Sequence, residues 1–174
     1  MEVSVIGLGC NNFGWKIDEN TTRDVIDAAI ASGINFLDTA DTYGKTQSEE
    51  FIGRVLEGRR ASVIIATKFG KPVDATRTGA KPAYVHQACN DSLKRLRTDY
   101  IDLYQLHAPD HTVPIADTLG ALNELVVAGK VREIGCSNFS AAQLREAEDA
   151  STSGGLARFV SVQNHYNLLK RDDE

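Results

Sequence analysis

The chain is poor in cysteine: three in 174 residues, at Cys10, Cys89 and Cys136, with no Cys-x-x-Cys pair. An odd and widely spaced set excludes a disulfide framework and a thiolate zinc site, and it points to a reducing cytoplasm. No run of Lys or Arg occurs, and Lys+Arg 19 against Asp+Glu 24 leaves a net charge of −5. Nucleic acid and anionic membrane surfaces are therefore not expected partners, since both reward clustered positive charge. Long apolar runs are absent too. The opening Met1–Cys10 has no basic flank and its apolar stretch is too short for a signal peptide or a span. Nor is there a linker, a low-complexity stretch or a sequence repeat, so one domain over 1–174 is expected.

What is present is an ordinary globular composition, 42% hydrophobic and 25% charged, in which short β-branched runs alternate with amphipathic stretches. Strands are expected to start near Val3, Ile34, Val63, Ile101, Val131 and Phe159. The intervening helices carry boundary signals: a cap at Thr21 or Thr22 with a stop at Gly33, a Thr46/Glu49 capping box before Phe51, Pro82 opening the third, Gly129 closing the fourth, and a Ser140/Gln143 box on the fifth. Strand–helix units of about 30 residues imply parallel strands joined by helical crossovers, in an open sheet or a closed barrel.

Polar residues fall at the strand ends: Asp38, Lys68, His107, Ser137 with Asn138, and Gln163. In parallel α/β architectures that rim is where ligands bind. Five strands delivering polar groups to one point favours a barrel over an open sheet, which would spread them in a line. Gly7-Leu8-Gly9 lacks the third glycine and the following helix of a dinucleotide fingerprint. His107 and His111 have a zinc-like spacing, but Pro109 between them breaks any shared helix face, and no metal is expected. Singly, Asp38 reads as a turn cap, Tyr43 as a packed aromatic and Lys68 as a solvated charge. Together they read as acid–base equipment, with Lys68 lowering the Tyr43 pKa, Asp38 holding Lys68, and His107 bonding the same reacting oxygen.

Gly33–Gly44, reading Gly-Ile-Asn-Phe-Leu-Asp-Thr-Ala-Asp-Thr-Tyr-Gly, resembles the signature of the aldo-keto reductases. Ala66-Thr67-Lys68, Asp102–His107, Gly135–Phe139 and Gln163 follow in that family's order. His107–Asp110 and Tyr166–Leu169 look like its bacterial oxidoreductase and potassium-channel β-subunit branch. The resemblance implies a (β/α)8 TIM-type barrel that binds NADPH, with NADH not excluded, and reduces a small carbonyl substrate to an alcohol. It makes Tyr43 the general acid, Lys68 and Asp38 its pKa-setting pair, and His107 the group orienting the carbonyl. Ser137, Asn138 and Gln163 are implied to hold the nicotinamide carboxamide, with Cys10 and Asn11 also at the cofactor. About six of the eight strands are readable, so the chain is expected to be truncated at its C-terminus and at the N-terminal hairpin, and to self-associate through open sheet edges. Two other readings stand beside this one. The first is a non-catalytic or slow cofactor-sensing regulatory subunit of the same fold. The second is a Schiff-base aldolase using Lys68, which needs a neutral amine that Asp38 opposes.

Overall fold

The computed structural model describes residues 1–171. Among them, strands and helices alternate: β1 (Leu8–Gly9), α1 (Glu19–Ala31), β2 (Phe36–Asp38), α2 (Gln47–Val55), β3 (Ile64–Phe69), α3 (Pro82–Leu96), β4 (Ile101–Leu106), α4 (Ile115–Val127), β5 (Val131–Ser137), α5 (Ala141–Gly154) and β6 (Phe159–Gln163). The strands form one sheet in sequence order, every neighbouring pair parallel. Gln163 Nε2, at the end of β6, donates to Asp38 Oδ2, at the end of β2, at 3.1 Å. In a flat sheet four strand spacings would hold these residues about 19 Å apart. The sheet is therefore curled, as six consecutive strands of a (β/α)8 barrel are.

Every residue of β4 is buried, as expected of a parallel strand covered on both faces. Its Tyr104 stacks on Phe69 of β3, ring centroids 4.7 Å apart. Ile52, Val85, Leu93, Leu119 and Leu125 from the outer helices close over the same core. At the opposite end from the polar rim, buried Asp102 accepts from Ile65 N, Arg60 Nη2 and Arg132 Nη1 at 3.0, 2.6 and 2.9 Å, tying β3, β4 and β5 together. That end of a barrel serves stability.

Three boundaries differ from expectation. A strand is expected from Val3, yet only Leu8 and Gly9 pair with β2, while Val5 and Ile6 are exposed. The Asn35 side chain explains this: its Oδ1 accepts from Ser4 N and its Nδ2 donates to Glu2 O, so these backbone groups bond a side chain instead of a ladder. α1 is capped by Asp18, which accepts from Thr21 N, and the cap expected at Thr21 or Thr22 lies already inside the helix. The Thr46/Glu49 box does not form. Thr46 sits at φ 79 with no cap bond, because Glu49 is drawn into the core by Thr67 Oγ1 and Arg95 Nε, both at 2.6 Å. By contrast, Pro82 opens α3 and the Ser140/Gln143 capping box is complete.

Candidate active site

β2 ends at Asp38, but the chain beyond it stays hooked to β3: Thr39 N donates to Ala66 O and Asp41 N to Lys68 O, at 2.9 and 3.0 Å. This carries Tyr43 back over the Lys68 side chain. The turn that follows needs Gly44, at φ 57, where a Cβ would lie 2.3 Å from Phe13 O. The β1–α1 loop is thereby clamped against the Tyr43 loop.

The Lys68 ammonium is 1% exposed. It donates to Asp38 Oδ1 at 2.7 Å and Thr39 O at 2.8 Å, with a longer contact of 3.4 Å to Tyr43 Oη. His107, immediately after β4 and buried, sets its ring edge-on to Tyr43 with centroids 5.9 Å apart. Four residues from three successive strand ends thus share one corner of the rim. The expected electrostatics need a correction. Burial, and next the charge of Asp38, push the Tyr43 phenol up to about 12, where a lowered value was expected. Lys68 is already neutralised by Asp38 at contact distance, so the phenol sees an ion pair rather than a bare cation, and desolvation wins. Burial, followed by the charges of Lys71 and Lys68, lowers His107 to about 3, leaving a neutral imidazole.

On the other side of His107, Asn138 Nδ2 donates to His107 O and Ser137 Oγ at 2.9 and 3.0 Å. Asn138 takes the left-handed conformation, φ 61, and its N–H donates to Gln163 O, as does Ser137 Oγ. Ser137, Asn138 and Gln163 are thus one bonded group, joined to the acid–base corner through the Gln163–Asp38 bond. Cys10 lies beneath the rim: it is fully buried, its thiol directed at Leu8 O, its N–H at Asp38 O and its carbonyl taken by Ser48 Oγ. Asn11 is exposed and lines, with Trp15 and Tyr43, a cavity of about 630 Å³.

Three contributors carry no local sequence signal. The Thr39 carbonyl matters only because Lys68 comes underneath it. Asp41 is 1% exposed, and neither carboxylate oxygen has a hydrogen-bond partner among the described residues; burial, and next the charge of Glu49, raise it to about 7. The Glu49–Arg95 pair, which a capping-box reading of Glu49 conceals, fixes α2 to α3.

Among the described residues no helix is long and apolar enough to cross a membrane. Residues 5–174 match the model of the aldo/keto reductase family. The chain is 41% identical over 182 residues to aldo-keto reductase YhdN of Bacillus subtilis, covering all of this chain and 53% of that protein. It is 36% identical to the uncharacterized oxidoreductase YqkF of the same organism, covering 56% of it. The solved structure of aldo-keto reductase AKR11C1 from Bacillus halodurans, in its holo form, superposes with a TM-score of 0.84 at 37% identity, over 95% of this chain and 54% of that one. The chain spans about half the length of these relatives. With the sequential parallel barrel strands and the polar rim they surround, these matches establish that the chain belongs to the aldo/keto reductase family.

Proposed function

We propose that this site reduces an aldehyde or ketone to an alcohol, with NADPH or NADH as the hydride donor. The observation that carries the reading is the Asp38–Lys68–Tyr43 contact series, centred on the buried Lys68 and half-buried at its two ends, beside a neutral His107. A carbonyl becomes an alcohol by gaining a hydride at carbon and a proton at oxygen, and this corner is built for the second part. Tyr43, protonated well above neutrality, is a donor that gives up its proton only to a strongly basic oxygen, such as a developing alkoxide. Lys68 faces the phenolate left behind, and Asp38 and the Thr39 carbonyl hold Lys68 in place. The neutral His107 ring offers one N–H to orient the carbonyl oxygen.

The residues also suit a nicotinamide. Its carboxamide needs both donors and acceptors, and the group formed by Asn138 and Gln163 offers Asn138 Oδ1 and Gln163 Oε1, for which no bond occurs among the described residues. When bound, the nicotinamide supplies the hydride. Ser137 keeps Asn138 oriented, and the Gln163–Asp38 bond sets the carboxamide group in register with the proton donor.

An aldolase reading is disfavoured by the geometry, because Lys68 Nζ is buried and held by Asp38 Oδ1 and Thr39 O, and a carboxylate at contact distance favours the ammonium over the nucleophilic amine. A slow cofactor-sensing subunit would share the rim, and the complete acid–base set favours chemistry instead. The test is Tyr43→Phe, which is expected to slow carbonyl-dependent NADPH oxidation at least ~100-fold, with the cofactor affinity, followed by nicotinamide fluorescence, nearly unchanged. Turnover close to that of the parent would remove Tyr43 from the reaction.

A further inference from the structure

The cavity holding Tyr43 differs in charge from the rest of the chain. The protein carries a net −5, yet among the described residues this cavity has no acidic side chain on its wall, and Lys45 is its one cation. Lys45 is exposed, and no ion pair or hydrogen bond to its ammonium occurs among the described residues. Lys45 also borders a second cavity that holds Glu50 and Asp91, and the acids nearby have other partners: Glu50 faces Thr46 and Arg54, Glu49 pairs with Arg95, Asp74 with Arg77 and Asp91 with Lys94.

The backbone under Lys45 is also unusual. Gly44, Lys45 and Thr46 are consecutively left-handed, at φ 57, 55 and 79. Non-glycine residues there are sterically disfavoured, and such outliers persist where surrounding structure enforces them, commonly at ligand sites. Here Gly44 seats against Phe13 O and Gly14 against Gln47, which fixes the backbone that carries Lys45 into the wall of the Tyr43 cavity. The same cavity is lined by Trp15, 70% exposed and the chain's one tryptophan. A large apolar ring left so open is a candidate contact surface, and the Lys16 ammonium, outside the cavity lining, stands over the ring 4.8 Å from its centroid.

We propose that Lys45 and Trp15 select carbonyl substrates that carry a planar apolar body and an anionic group, the body lying on the Trp15 indole and the anion paired with Lys45. This rests on the reductase reading, since it places the carbonyl at Tyr43. Opposite charges across an exposed contact are worth little singly, so the preference is modest and salt-dependent.

The test separates the two readings, because binding is observed without turnover. 4-Carboxybenzaldehyde and its neutral methyl ester are titrated against the full chain, with the intrinsic fluorescence of Trp15 as the signal. The carboxylate is expected to bind roughly three- to five-fold more tightly than the ester at low ionic strength. That ratio should fall to near one in 0.5 M NaCl and in Lys45→Gln, and return in Lys45→Arg. Equal affinities for the two compounds, an unchanged ratio in Lys45→Gln, or a Trp15 signal insensitive to both would each overturn the proposal. Charge selectivity without NADPH-dependent reduction would uphold it while refuting the reductase reading. Reduction without charge preference would do the reverse.

Discussion

Asp41 makes the protein's stability depend on pH in a direction opposite to that of most carboxylates. Its side chain is enclosed in the Tyr43 loop with both oxygens unpartnered among the described residues, and burial and Glu49 raise it from 3.8 to about 7, against weaker opposition from the charges of Arg95 and Arg77. A carboxyl raised on folding contributes stability fully below its unfolded value and loses it as pH climbs through the folded one. The difference between 3.8 and about 7 corresponds to roughly 4 kcal/mol in full, at 1.36 kcal/mol per pH unit. Most of this, about 3 kcal/mol, falls between pH 5 and pH 8. Asp41→Asn keeps the shape and removes the titration. Urea unfolding of both proteins across this range should show the variant gaining on the parent by about 3 kcal/mol from pH 5 to pH 8, and levelling off above the folded value. Other titrating groups are common to both and cancel in the difference. A stability difference that does not change with pH, or one that favours the parent increasingly as pH rises, would refute the reasoning.

Lys68→Met removes the cation facing the phenolate and leaves Asp38 Oδ1 and Thr39 O without their Lys68 donor; a loss of ~100-fold in carbonyl reduction is expected, of the size that one acid–base partner contributes, and parental rates would break the pairing. Because His107 stays neutral down to about 3, its imidazole resonances should show no titration between pH 5 and 8 by NMR, and a midpoint near 6.5 would contradict its burial. Asn138→Ala frees His107 O and Ser137 Oγ of their donor and should weaken nicotinamide-cofactor binding by about 1–3 kcal/mol, the cost of unpaired buried polar groups. Undiminished affinity in a fluorescence titration would move the carboxamide site elsewhere.

Much of this architecture is local and therefore written in the chain. Alternating β-branched and amphipathic segments determine six parallel strands, because period and propensity act within a few residues. Pro82 and the Ser140/Gln143 box place helix starts for the same reason. The strand ends could be read as one rim, so Asp38, Lys68, His107, Ser137, Asn138 and Gln163 could be collected before any coordinates. Packing decided the rest. Glu49 has the spacing of a cap, and it became a buried ion-pair partner because Arg95 and Thr67, 46 and 18 residues away in sequence, converge on it. Tyr43 was raised rather than lowered because desolvation and the Asp38–Lys68 pairing depend on what encloses a group, which no spacing encodes. The exposure of Trp15, the isolation of Lys45 and the unpartnered carboxyl of Asp41 are likewise properties of the tertiary structure. A sequence supplies chemical groups and local geometry, while charge state and accessibility arise from the residues brought in from a distance.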